Sequence, residues 1–163
     1  MQTKHLLAYP QHSEFEELLN SCGSMTKQLE ELGRKLHVEL IGDRIEGEYF
    51  SRYTILRLNQ QAVVIACSQA LITDDFFHSL LANASTQPIG KFLFTANSPV
   101  IRNPNMVIES VNSNEISHQP LQQYLQQKYQ PEQQFWSRKS CFEFETQRLS
   151  LVEIILPELD NFF

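Results

Sequence analysis

Cysteine is scarce in this chain and never placed to work in pairs. The three in 163 residues, Cys22, Cys67 and Cys141, are widely spaced, and none forms a CxxC. An odd, scattered set excludes a disulfide frame and a thiolate zinc site, and reads as free thiols in a reducing compartment. The five histidines, at 5, 12, 37, 78 and 118, show no ligand spacing such as HxxxH, so no metal is expected. No dinucleotide-binding motif occurs among the few glycines. Positive charge is also in deficit, with 13 Lys and Arg against 19 Asp and Glu and a net charge of −6. There is no basic face or arm to neutralise phosphates, so nucleic acid is not an expected partner. A small anionic ligand would have to be drawn by local cations and not by the overall field. No apolar run approaches the roughly 18 residues needed to span a bilayer. The opening MQTKHLLAYPQHSEF has no signal-peptide core, so a cytoplasmic location is expected.

What remains is ordinary globular material, 42% hydrophobic and 20% charged. The length suits one domain over residues 1–163, with no internal repeat or linker to divide it. Two short helical patterns come first, EFEELL around 14–20 and SMTKQLEELG, where Ser24 fits an N-cap and Gly33 a stop. The period then changes to two. LHVELI (36–41), RIEGEYF (44–50), RYTILRL (52–58) and AVVIACSQALI (62–72) read as strands, with turns at Gly42-Asp43 and Asn59-Gln60. A helix is expected over 73–83, a short helix or turn at QPIGKFLF, and a strand at 105–111. QPLQQYLQQKYQPEQQ reads as a surface helix laid over the sheet. FWSRKSCFEFE and RLSLVEIIL form a hairpin across Thr146-Gln147. The expected class is α+β: one antiparallel sheet of about six strands with helices gathered on one side.

Two charges sit where apolar residues would be worth more. In RLSLVEIILPEL, Glu153 lies among Leu149, Leu151, Val152, Ile154 and Ile155. Strand alternation groups it with Leu149, Leu151 and Ile155, although the other face of that strand is apolar too. In 50–58 the more apolar set is Phe50, Arg52, Thr54, Leu56 and Leu58, so Arg52 points inward and Arg57 is the solvated one. A two-residue turn at 59–60 would put Arg52 opposite Cys67, with no acid beside it. A guanidinium keeps its charge, so Arg52 requires an anion. Either Arg52 and Glu153 pair with each other, or a ligand holds them apart, with the arginine anchoring a carboxylate and the glutamate facing a hydroxyl or a moving proton. Arg138, inward by the same parity with Trp136, Ser140 and Phe142, is a second candidate cation. It and Lys139 form either a basic strand end or a contact for a second carboxylate.

GSMTKQLEELG, QPIGKFLFT, FWSRKS and LSLVEIILPE occur in the order and context of the chorismate pyruvate-lyase family, which the chain resembles over roughly residues 20–157. The resemblance implies a chorismate lyase-like fold and a cofactor-free, monomeric enzyme. Such an enzyme converts chorismate to 4-hydroxybenzoate and pyruvate for ubiquinone-type quinone biosynthesis. It also implies four ligand-binding positions. Met25 and Ile89 would contribute backbone N–H groups, Arg52 would bind the carboxylate, and Glu153 would be the buried acid, with Arg52 and Glu153 as the catalytic pair. Slow product release is expected, because the product keeps one carboxylate and one hydroxyl. The sequence departs from the family at Cys67, at a short loop before Ser51-Arg52-Tyr53, and in a longer Gln-rich stretch at about 112–134. The alternative is a non-catalytic domain binding a small aromatic carboxylate, related to the ligand-sensing domains of transcription regulators. Those normally follow a winged DNA-binding domain, for which this chain has neither the length nor the basic helix.

Overall fold

A computed structural model describes residues 13–20, 24–95 and 97–163; the expected free thiol Cys22 lies outside them. Seven strands form one antiparallel sheet: β1 (Leu36–Glu46), β2 (Tyr49–Leu58), β3 (Gln61–Leu71), β4 (Ile101–Arg102), β5 (Val107–Asn112), β6 (Gln134–Phe144) and β7 (Gln147–Ile155). Their order is β1-β2-β3-β7-β6-β4, and β5 pairs with β6 as well. Because β4 and β5 share one edge of β6, the seven strands fill six columns. Each tight turn has its own chemistry. Asn59 and Gln60 both take positive φ, 47° and 70°, which matches the right-handed twist of the β2–β3 hairpin.

Helices α1 (Ser13–Asn20), α2 (Met25–Glu30), α3 (Asp75–Asn83) and α4 (Gly90–Leu93) gather on one face of the sheet. They seal it with Leu18, Leu19, Met25 and Leu29 at one end and Phe77, Leu81, Ile89 and Leu93 at the other. The glutamine-rich helix α5 (Gln119–Lys128) lies over the sheet as expected, and it covers the opposite face. There Leu121 and Leu125 meet Tyr53, Ile55, Ile65, Phe135 and Ile154. Both sheet faces are therefore buried, which explains why Val152, Ile154 and Leu156 are as apolar as the residues between them.

Three local readings are corrected. Gly42-Asp43 is not a turn: β1 continues through it with a bulge between Leu40 and Gly42, and the chain reverses at Gly47-Glu48. Gly47 supplies the left-handed φ of 63° that this reversal needs, and Gly42 does not adopt one. The last hairpin closes at Glu145-Thr146, with Phe144 facing Gln147, and Glu145 takes φ 53°. Finally, the β2–β3 ladder slips by one residue between Leu56 and Arg57, so Arg52 faces Ser68 and not Cys67. The extra residue is Val63, whose carbonyl accepts from Leu156 N at 2.9 Å.

Candidate functional site

On the face covered by α1–α4, four strands bring a row of polar side chains into the apolar layer. Arg52, Thr54, Ser68, Arg138, Ser140 and Glu153 are all buried, with Arg52 2% and Glu153 4% exposed. The register explains how they meet. Thr54 faces Ala66, Ala66 faces Glu153, and Glu153 faces Arg138. The adjacent row runs Arg52, Ser68, Leu151, Ser140.

Arg52 and Glu153 both point inward, and they do not clasp each other. Glu153 Oε1 accepts from Arg138 Nε at 3.0 Å, and Arg138 Nη1 donates to the Leu18 carbonyl at 3.1 Å. Arg138 is thus neither a basic strand end nor an available carboxylate receptor, because its charge is matched to Glu153 from the neighbouring strand. Arg52 Nη2 donates to the carbonyls of Ser85 and Gln87, at 2.9 and 2.8 Å, which ties the loop before α4 to the sheet. Its Nε is buried and has no hydrogen-bond partner among the described residues. A buried donor left unmade costs about 1–3 kcal/mol, more for a charged group. Burial pushes the Arg52 guanidinium below its ordinary value, and Asp43, facing it on β1, pulls it back up. Asp43 was hidden by the misplaced turn. Arg57, the competing arginine, is bound to Glu39 at 2.8 Å on the outer side.

Arg52, Thr54, Ser68, Arg138 and Glu153 line one cavity with Met25, Ile89, Gly90, Phe94, Arg102 and Phe142. All four sequence-derived positions, Met25, Arg52, Ile89 and Glu153, are therefore brought together. Met25 is the first residue of α2, where the helix itself supplies no acceptor for the N–H. Ser24 caps the same turn, its Oγ accepting from Lys27 N at 3.3 Å. Ile89 precedes α4, and a Cβ added to Gly90 would collide with Ser24 Oγ, so only glycine lets the two helix starts close together. They form the roof. The enclosed space beneath is about 40 Å³, within a hollow of about 500 Å³ once the vestibule open to solvent is counted. At roughly 10–15 Å³ per water, the enclosed part holds a few waters, and a ring needs more room than it offers as it stands.

Sequence reasoning missed Arg102. It sits on the two-residue strand β4, too short to leave a period, and donates from Nη2 to Ser140 Oγ at 2.6 Å. Among the described residues no group of three His, Cys, Asp or Glu is placed to hold a metal. No described helix is long and apolar enough to cross a membrane.

No family model and no curated protein matches the chain. Solved structures do. The effector domain of PhnF from Mycobacterium smegmatis aligns at TM-score 0.55 and 8% identity, covering 85% of this chain and 91% of that one. The longer PhnF structure from the same organism gives 0.53 and 8%, covering 85% and 66%. The ligand-binding domain of a protein assigned to the GntR family of transcriptional regulators, from Bordetella bronchiseptica, gives 0.50 and 14%, covering 76% and 87%. At such identities the likeness to these ligand-binding and effector domains is one of fold alone, the antiparallel sheet that here carries α1–α4 on one face and α5 on the other.

Proposed function

We propose that this chain binds a small aromatic carboxylate in the cavity between Arg52 and the Glu153–Arg138 pair. The observation that carries this reading is the buried Arg52 Nε, a charged donor with no acceptor among the described residues, at the wall of a cavity. A carboxylate there would satisfy it, helped by the N–H groups at the starts of α2 and α4. Ring atoms would lie against Leu56, Leu93 and Leu151, and a hydroxyl at the far end would meet Glu153. The match to effector-domain folds supports small-molecule binding as the role.

A second reading, catalysis, is favoured by the convergence of Met25, Arg52, Ile89 and Glu153 on one cavity, the four positions implied by resemblance to the chorismate pyruvate-lyases. In that reaction the C3–O bond to the enolpyruvyl group breaks and a proton leaves C4. The electron pair of the C4–H bond completes the aromatic ring, and the departing enolate takes up a proton to become pyruvate. No electrons enter or leave. Arg52 would hold the ring carboxylate, Glu153 would fix the C4 hydroxyl with Arg138 behind it, and the roof would exclude water.

Mixing the protein with chorismate, while following pyruvate and hydroxybenzoate absorbance, separates the two readings when paired with 4-hydroxybenzoate titration. Turnover that falls at least tenfold in Arg52→Ala and Glu153→Gln establishes the lyase. Tight 4-hydroxybenzoate binding without turnover leaves a binding domain. Absence of both sinks both readings.

A further inference from the structure

Strand β1 is 11 residues long and stands at the end of the strand order, so one side of its backbone has no strand beside it among the described residues. An open edge of that length is a template for another strand, because alternate N–H and C=O groups point outward unmet. Two large apolar side chains lie along it, Ile41 and Ile45, which are 42% and 69% exposed.

The bulge between Leu40 and Gly42 makes this edge its own complement. Ile41 is the extra residue, and it shifts the phase of the strand by one. Val38 and Leu40 before it share the α1–α4 face with Asp43 and Ile45 after it, while His37 and Glu39 share the other face with Arg44 and Glu46. Residues equally distant from the Ile41–Gly42 bond therefore look to the same side. An antiparallel copy of β1, related by a two-fold axis beside that bond, keeps every side chain on its own face. Glu39 then meets the partner's Arg44, and His37 meets the partner's Glu46, each contact made twice. Glu39 holds Arg57 through Oε2 at 2.8 Å, and Oε1 remains for the partner. Val38 meets the partner's Ile45. Ile41 meets the partner's Gly42, around which a side chain finds open space. Sliding the copy by one residue sets polar faces on apolar ones. Sliding it by two sets Arg44 against the partner's His37, or Glu39 against the partner's Glu46. Only one register satisfies face and charge together.

We propose that β1 is the interface with a second copy of this chain, joined edge to edge in this register so that the two sheets become one. The pairing is independent of what the cavity binds, and it places both cavities under the same face of the joined sheet. An edge contact is small for a stable interface, so association should be reversible and concentration-dependent. Sedimentation velocity over a dilution series should show a monomer–dimer equilibrium. Arg44→Glu and Glu39→Lys should each weaken the dimer about tenfold, because like charges then face each other twice. Mixed in equal amounts, these two variants should pair about as tightly as the native chain, since both contacts regain opposite charges. Gly42→Val should also weaken the dimer while leaving the thermal unfolding of dilute protein unchanged, because the space it fills is empty within one copy. A native chain that stays monomeric at the highest concentration reached overturns the proposal. A dimer indifferent to Arg44→Glu and Gly42→Val, or a mixture that fails to recover, overturns it as well.

Discussion

The two faces of the central sheet are built from the same strands and have opposite chemistry. Under α5, Tyr53, Ile55, Ile65, Phe135 and Ile154 pack against Leu121 and Leu125. The polar exceptions there stay neutral: the Tyr53 hydroxyl donates to Glu46 at 2.7 Å, and burial is the largest cause holding its proton well above the ordinary value. One residue along each strand, on the face under α1–α4, lie Arg52, Arg138 and Glu153. Burying charges costs several kcal/mol each before pairing returns it. The apolar face supplies that stability, and the charged face spends it on a site. Strand alternation keeps the two about one sheet thickness apart.

The largest effect should come from splitting the buried ion pair. Arg138→Met leaves Glu153 in an apolar layer and should cost about 3–5 kcal/mol in urea denaturation. The Arg138→Met/Glu153→Leu double variant should recover most of that loss while losing affinity for 4-hydroxybenzoate. Equal losses in single and double variants would mean the pair is a structural strut and the contrast is misdrawn. Next is the apolar face: Leu125→Ala should cost about 3 kcal/mol through its cavity and leave ligand affinity within twofold. Smaller again, Gly90→Ala should cost about 1–2 kcal/mol by forcing the roof apart and weaken ligand binding about tenfold. The reverse weighting would move the site away from the roof.

The effect that is smallest at neutral pH concerns the Cys67 thiol on the apolar face, which burial pushes up to about 12 from an ordinary 9.0. The unfolded chain loses this proton near 9 while the folded chain keeps it. The contribution is therefore fully present below pH 9 and is lost as pH rises toward 12. Stability curves of Cys67→Ala should fall less steeply across that window, and iodoacetamide should label Cys67 slowly at pH 9 until the protein unfolds.

Much of this arrangement was legible from alternation alone. Parity placed Arg52 inward and Arg57 outside, and it grouped Glu153 with Leu149, Leu151 and Ile155 and Arg138 with Ser140 and Phe142, because side-chain direction needs only the strand's own phase; which face of the last strand looks inward stayed open, since both are apolar. Partners were harder, because they depend on where a turn closes. A turn at Thr146-Gln147 sets Arg138 opposite Ile155; moving it back one residue sets Arg138 opposite Glu153. The pair was hidden by that one-residue difference. Arg102 was invisible for another reason: a two-residue strand has no period, and its place beside Phe142 is fixed by long-range pairing.

The bulge at Val63 acts as a phase shifter for the rest of β3. Beyond it, Ser68 looks toward Arg52 and Cys67 toward Tyr53. Drawing Val63 into a regular ladder, with no residue lost, would exchange them, putting a thiol beside the guanidinium and a hydroxyl in the grease. In any lineage descended from this chain, a change that flattened the strand at one inconspicuous valine would rewrite the lining of the cavity without touching a single residue that lines it.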